Sequence, residues 1–137
     1  MTEFFLDTSF AIALSATSDQ HHSHALELAD QIENQEINLI TTQAILLEIG
    51  NALSKQKYRV LAAQLLESLI LDPSVEVISL SEELYQSAFH LFKSRPDKEW
   101  GLVDCVSFVV MNDRAISSAL TADKHFSQAG FIALLNH

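Results

Sequence analysis

The sequence predicts a single α/β domain of three layers, in which a mostly parallel sheet of about five strands lies between two layers of helices. Short apolar runs with strand character alternate along the chain with longer segments of helical period. Strands that alternate with helices pair in parallel through right-handed crossovers. A length of 137 residues, of which 48% are hydrophobic and only three are glycine, is typical of one compact domain, residues 1–137.

The first elements are a strand, a helix, a second helix and a second strand. The run Glu3-Phe4-Phe5-Leu6 is short and apolar, and Asp7-Thr8-Ser9 after it are residue types that cap a helix N-terminus. From Ser23 onward, apolar residues recur at i, i+3, i+4 and i+7, which predicts an amphipathic helix. Residues 37–40 then have the composition of a strand.

Two helices and a third strand follow. Thr41-Thr42 is expected to cap a helix with an apolar stripe, and Glu48 lies at the edge of that stripe. The next helix, residues 58–71, ends where Pro73 prevents its continuation. Residues 75–80 are predicted to be the third strand.

The last third of the chain predicts two helices and two strands. One helix opens at Ser81 and stops at Arg95-Pro96. Residues 102–111 are almost wholly apolar apart from Asp104 and Ser107, so this helix is expected to be buried on most sides. The remaining strands are predicted at residues 118–121, just before Asp123, and at residues 131–135.

Four acidic residues lie within or directly after apolar segments, where an unpaired charge is costly. The chain has only eight Lys and Arg residues to pair with its 18 acids. Ligands bind at the carboxyl ends of strands in parallel sheets, and these acids follow strands or lie on helices that flank that edge. A cluster of carboxylates without His or Cys favours Mg²⁺ or Mn²⁺ over zinc. The candidate metal ligands are Asp7, Glu48, Asp104 and Asp123.

The net charge of −10 argues against capture of nucleic acid by bulk electrostatics, but the bases are unevenly distributed. Residues 1–54 contain no Lys or Arg. Two small clusters follow, and they either steer a phosphate backbone locally or are solvated helix ends. The clusters are Lys55, Lys57 and Arg59, and Lys93, Arg95 and Lys98.

A soluble, cytoplasmic protein is expected. The N-terminus lacks a basic segment of the signal-peptide type, and no apolar run approaches the roughly 18 residues of a membrane span. Cys105 is the single cysteine, so no intramolecular disulfide forms, and its valine neighbours predict a buried thiol.

Taken in order and spacing, four segments resemble the PIN domain, and within it the toxin ribonucleases of VapC type from toxin–antitoxin pairs. The resemblance covers nearly the whole chain. The segments are Phe5-Leu6-Asp7-Thr8-Ser9, Leu46 to Leu53 around Glu48, Leu102 to Phe108 around Asp104, and Thr121-Ala122-Asp123-Lys124-His125-Phe126 followed by Gly130-Phe131.

The resemblance implies a metal-dependent endoribonuclease in which Asp7, Glu48, Asp104 and Asp123 bind Mg²⁺ or Mn²⁺. Thr8 matches the hydroxyl that often follows the first aspartate, and Asp97 lies in a loop where relatives sometimes carry an additional acid. The implied substrate is RNA, with Lys55, Lys57, Arg59 and Lys98 as candidate contacts. The implied partners are an antitoxin with a basic segment and a second copy of the chain in a homodimer.

A different class of function stays open: a PIN-like binding module whose acidic cleft docks a basic protein partner without catalysis. Other classes fit the residues less well. A haloacid-dehalogenase phosphotransferase needs an aspartate where Ser9 stands, and a receiver domain needs one at Leu80-Ser81. The cluster of His21, His22 and His24 lacks a second group at a spacing that would complete a metal site.

Overall fold

In the computed structural model, which describes residues 2–136, five strands and seven α-helices alternate along the chain. The strands are short, as is usual for a small parallel sheet. They are β1 (Glu3–Leu6), β2 (Asn38–Thr42), β3 (Val75–Ile78), β4 (Ser118–Leu120) and β5 (Ile132–Ala133).

The helices connect the strands in the order that the sequence pattern predicts. Short 3-10 turns at Gln56–Tyr58 and Leu134–Asn136 precede the fourth helix and follow the last strand. The α-helices are α1 (Thr8–Ser15), α2 (His22–Asn34), α3 (Gln43–Ala52), α4 (Arg59–Leu71), α5 (Glu82–Ser94), α6 (Leu102–Asp113) and α7 (Lys124–Gln128).

All pairs of neighbouring strands are parallel, and the strand order is β3-β2-β1-β4-β5. The first strand is therefore central, and the chain changes direction across the sheet between β1 and β4. In the register of this pair, Phe5 lies beside Ala119 and Leu6 lies beside Leu120. Such a reversal opens a crevice at the carboxyl ends of the strands.

The two faces of the sheet have separate cores, which gives the three layers. Because side chains alternate along a strand, Phe5 and Ala119 belong to one apolar cluster while Leu6 and Leu120 belong to the other. The first cluster packs against α3, α5 and α6, and the second packs against α1 and α2. The predicted α/β class, the five strands and the parallel pairing are confirmed.

Strand ends and one helix differ from the sequence-based expectation. The third strand ends at Ile78 and not at residue 80, because the Leu80 amide donates to the Gln43 side chain instead of extending the ladder (2.8 Å). The fifth strand is only Ile132–Ala133, and the chain then turns into a 3-10 helix. The short helix α7 was not predicted, since five residues carry too little periodicity to identify.

Candidate active site

Asp7 lies at the carboxyl end of β1 and is only 5% exposed. Although it occupies the N-cap position of α1, its side chain makes no capping hydrogen bond. Instead, its carboxylate accepts hydrogen bonds from the hydroxyls of Thr121 (2.6 Å) and Ser9 (3.2 Å). The Ser9 hydroxyl accepts in turn from the Ala122 amide at 3.1 Å. These bonds fasten the ends of β1 and β4 to each other across the crevice.

Burial makes the Asp7 carboxyl hard to ionise. Desolvation, opposed by the Thr121 hydrogen bond and reinforced by the negative charges of Glu48 and Asp104, raises its pKa from 3.8 to about 6. Glu48 and Asp104 are therefore near enough for their negative charges to repel that of Asp7. A cation in the crevice would remove that repulsion and return Asp7 to its ionised form.

Glu48 approaches the site from α3, where it is half-buried at the edge of the apolar face, as predicted. The hydroxyl of Thr8, the first residue of α1, donates a hydrogen bond of 2.5 Å to the Glu48 carboxylate. Thr8 itself is buried, so its hydroxyl has a fixed position. The structure therefore links the first and second predicted acids through the threonine that follows Asp7.

Asp104 projects from the first turn of the buried helix α6. Its carboxylate accepts a hydrogen bond from the Gly101 amide (3.0 Å), which caps the helix N-terminus, and contacts the His125 Nδ1 at 3.1 Å. Burial, together with the charge of Asp123, raises the pKa of the Asp104 carboxyl despite these bonds. The Asp104 charge in turn contributes to raising the pKa of Asp7.

Asp123 follows β4 and caps α7, since its Oδ1 accepts a hydrogen bond from the His125 amide at 2.9 Å. The His125 ring lies 3.4 Å from the same oxygen and also contacts Asp104. One ligand atom from each of Asp104, Asp123 and His125 lies within 4.8 Å of the others. This spacing fits a single divalent ion, with two carboxylate oxygens and one imidazole nitrogen as donors.

The site lacks compensating positive charge from basic side chains. Within residues 2–136, no Lys or Arg nitrogen lies within 4.0 Å of the carboxylates of Asp7, Glu48, Asp104 or Asp123. Carboxylates gathered without a base are a donor set that hard divalent cations prefer. Of the four predicted acids, Asp104 and Asp123 lie close enough to share one ion with His125, and this donor set fits a hard divalent cation. Asp7 and Glu48 are outside that group, and Thr8 joins Glu48 to the residue that follows Asp7.

The remaining predicted residues lie on the surface. Asp97 is paired with Arg95 through two hydrogen bonds of 3.0 Å, and no contact in the described part of the chain joins it to the acidic cluster. Lys98 lies 4.0 Å from the same carboxylate. In the other basic cluster, Lys57 lies over the Tyr58 ring and Arg59 donates to the Ser54 carbonyl.

Three residues of the site were not assigned a role from the sequence: Ser9, Thr121 and His125. The two hydroxyls support Asp7, and the imidazole bridges two acids. Each is a polar residue two positions from a predicted acid, within the segments that resemble the PIN domain, and these are the signals that could have identified them.

Other polar candidates have structural explanations. The His22 ring contacts the Ala13 carbonyl at 2.7 Å, and the histidines near it form no group that could hold a metal within the described chain. Cys105 is buried, and burial together with the nearby Asp104 charge raises the pKa of its thiol to about 11, so it is not a nucleophile at neutral pH. None of the helices described has the length and apolar character that crossing a bilayer requires.

Comparison with known proteins places this geometry in a family. The model of the PIN domain matches residues 4–132. The 23S rRNA-specific endonuclease VapC20 of Mycobacterium tuberculosis, from strains CDC 1551 and H37Rv, is 30% identical over 129 residues, which are 93% of this chain and 95% of the relative.

Solved structures agree with the fold. The crystal structure of M. tuberculosis VapC20, described as a Sarcin-Ricin loop cleaving toxin, has a TM-score of 0.82 at 26% identity and covers 94% of this chain and 96% of its own. The Rickettsia felis VapBC2 structure, bound to a promoter DNA fragment, has a TM-score of 0.67 at 16% identity, with 96% and 97% covered, and supports the fold alone. With its crevice acids, its sheet order and its match over residues 4–132, this chain belongs to the PIN-domain family.

Proposed function

We propose that this protein is a divalent-metal-dependent endoribonuclease that hydrolyses RNA phosphodiester bonds and acts as the toxin of a toxin–antitoxin pair. The relative that is 30% identical over 93% of the chain is named a 23S rRNA-specific endonuclease. Membership of the PIN-domain family supports the same activity.

One observation carries the proposal: Asp104 on α6 and Asp123 and His125 after β4 offer ligand atoms within 4.8 Å of one another, and no described Lys or Arg pairs with them. Holding that arrangement without a function would only cost stability. Asp7, Glu48, Asp104 and Asp123 are the proposed ligands of Mg²⁺ or Mn²⁺, with His125 as a further donor. A bound divalent ion supplies a Lewis acid for the phosphodiester and a lowered pKa for water.

The side chains have separate tasks in this scheme. Hydrogen bonds from Thr121 and Ser9 orient the Asp7 carboxylate at the end of the central strand. Thr8 orients Glu48 through their hydrogen bond, so the two sides of the crevice keep a constant separation. No serine or cysteine of the site has to form a covalent bond to the substrate.

RNA has to approach an acidic molecule, so its contacts should involve the few exposed bases. Lys55, Lys57 and Arg59 are exposed, and we assign them a long-range attraction for the strand. Lys98 is the basic candidate in the loop that precedes Asp104. Asp97 is kept only as an auxiliary candidate, because Arg95 already neutralises it.

A protein partner and a second copy are also proposed. An antitoxin with a basic segment suits the acidic crevice, and an apolar groove of about 320 Å³ that includes Leu47, Glu48 and Tyr85 lies beside it. Homodimer formation is supported by apolar side chains exposed on α4, including Val60 at 72% and Leu71 at 78%. A protein that cuts cellular RNA and carries a single thiol is expected in the cytoplasm.

The activity is tested by incubating the purified protein with a panel of structured and single-stranded RNAs in Mg²⁺, in Mn²⁺ and in chelator. Cleavage that requires the metal and is lost in Asp104→Asn, with folding unchanged by circular dichroism, is the expected result. Absence of cleavage in every metal, alongside tight binding of a basic peptide, would favour the binding module instead.

A further inference from the structure

A cavity of about 470 Å³ lies beside the N-terminal end of α6. Its wall is formed by the end of α5, the loop 95–101 and the start of α6. Lys93, Arg95 and Lys98 line it beside Phe92 and Trp100. Its one acid, Glu99, has no Lys or Arg nitrogen within 4.0 Å among the described residues, so it neutralises neither lysine. The loop that forms this wall contacts the acidic crevice, because the amide of Gly101, the residue after Trp100, donates a hydrogen bond to the Asp104 carboxylate (3.0 Å).

The cavity combines positive charge with an exposed aromatic ring. Lys93 rests over the Phe89 ring at 4.8 Å, and no carboxylate within residues 2–136 lies within 4.0 Å of its ammonium. Lys98 has only a 4.0 Å contact with Asp97, whose charge Arg95 already satisfies through two hydrogen bonds. Two ammonium groups are therefore available to an anion.

The aromatic residues of the cavity differ in accessibility. Trp100 is 6% exposed, its indole N–H donates to Gln128, and Arg95 covers its face at 5.0 Å, so it forms the rigid floor. Phe92 is 45% exposed and offers a free ring face at the rim. An exposed ring beside ammonium groups is the arrangement by which proteins hold an unstacked base and its phosphate.

Charge distribution favours this cavity as the anchoring point for a nucleic acid. The chain carries a net charge of −10, so few bases can attract an anion. Arg114 already forms ion pairs with Glu3 and Glu76. In the exposed cluster of Lys55 and Lys57, the neighbouring ring is that of Tyr58, and Lys57 already lies over it at 4.9 Å. The cavity beside α6 joins bases, an exposed ring and contact with the crevice.

We propose that this cavity is a nucleotide-binding subsite, in which Lys93 and Lys98 hold a backbone phosphate of single-stranded RNA and Phe92 stacks on an unpaired base. The subsite lies next to Asp104, so a strand anchored there passes into the acidic crevice. This inference rests on the proposed ribonuclease function, which it deepens by assigning where the strand is held.

The test compares two double variants with the same change in charge. Lys93→Gln/Lys98→Gln is compared with Lys55→Gln/Lys57→Gln for binding to a short fluorescein-labelled single-stranded RNA of mixed sequence, in chelator, across a salt series. We expect the first to weaken binding about tenfold and to reduce the salt slope by about 1.4, and the second to have about a twofold effect. Equal losses in both would show that only net charge matters and would overturn the subsite.

The stacking residue is tested separately. Phe92→Ala should weaken binding of the same RNA about fivefold, whereas Phe92→Tyr, which keeps the ring, should bind as the unmodified protein does. An equal loss in both variants, or no loss in Phe92→Ala, would contradict stacking.

Cleavage assays on the same variants separate this inference from the proposed function. If the subsite is correct, KM rises in the cavity variants while kcat stays within about twofold, because uniform binding is what they lose. RNA binding that depends on the cavity in a protein that never cuts RNA would sink the ribonuclease proposal and leave the subsite standing. Metal-dependent RNA cleavage with an unchanged KM in the cavity variants would overturn the subsite and leave the ribonuclease proposal standing.

Discussion

The two edges of the sheet, meaning the edge where the strands begin and the edge where they end, compensate their acids in opposite ways. Where the strands begin, Glu3 on β1 and Glu76 on β3 share Arg114, with contacts of 3.3 and 2.8 Å. Where they end, Asp7 and Asp104 gather with other acids and have no Lys or Arg partner in the part of the chain that is described. A basic side chain neutralises the acids at the first edge, whereas no described Lys or Arg neutralises those at the second.

The pKa directions express the same contrast. Hydrogen bonds from Arg114 lower the pKa of Glu76, whereas desolvation raises the pKa of Asp7 to about 6 and also raises that of Asp104. Acids at the two ends of β1 therefore differ: Glu3 joins a structural ion pair, whereas the Asp7 charge is relieved by a proton or by an added cation.

The largest expected effect comes from neutralising one acid at each end of β1. Asp7→Asn should reduce RNA cleavage by at least about a thousandfold, because a metal ligand contributes several kcal/mol to the transition state. Glu3→Gln, which makes the same chemical change four residues earlier on the same chain, should leave the rate within about twofold. Steady-state cleavage of one RNA measures both rates. Similar rates in the two variants would contradict the claim that only the edge where the strands end serves the reaction.

Stability against pH should separate the edges next. The folded-state pKa of Asp7, about 6, lies above its ordinary value of 3.8. Between these two pH values the folded protein keeps a proton on Asp7 that the unfolded chain has lost. Metal-free protein should therefore lose up to about 3 kcal/mol of unfolding free energy as the pH rises from about 4 to above 6. Glu76 acts with the opposite sign, since its lowered pKa gives stability that disappears as the pH falls.

Denaturant unfolding in chelator at several pH values measures this slope, and Asp7→Asn should flatten it. A variant with the same slope as the unmodified protein would mean that Asp7 does not carry the effect.

Metal binding should stabilise one edge only. Mg²⁺ or Mn²⁺ at about 100 times its dissociation constant should raise the unfolding free energy by about 2.7 kcal/mol, roughly 8 °C in Tm for a domain of this size. Asp123→Asn should abolish most of the shift, and Glu76→Gln should retain it. Thermal melts with and without metal measure this, and an equal shift in both variants would locate the ion elsewhere.

The smallest effect is expected for the structural ion pairs. Arg114→Met should cost about 1 kcal/mol or less, because its carboxylate partners are partly exposed and such pairs are screened by solvent. RNA cleavage and the metal-induced Tm shift should both be unchanged. A loss of activity in this variant would show that the two edges communicate.

Much of the fold followed from local pattern, and the errors have physical causes. The apolar run before Asp7 and the proline after the fourth helix predicted element ends correctly. The ends of β3 and β5 were placed too late, because ladder partners, not composition, decide where a strand stops. The helix after Asp123 was missed because it is too short to show a period.

The sequence by itself determined which residue types were available: four acids in apolar segments, few bases to pair with them, and alternating periods that permit one parallel sheet. Only the tertiary structure decided their partners. Sheet order brought the ends of β1 and β4 together, gave Asp7 its hydroxyl donors and set His125 between two carboxylates, whereas Arg114 was assigned to the opposite edge. Charge compensation depends on distances between residues far apart in the chain, and those distances are set by packing, which no local pattern records.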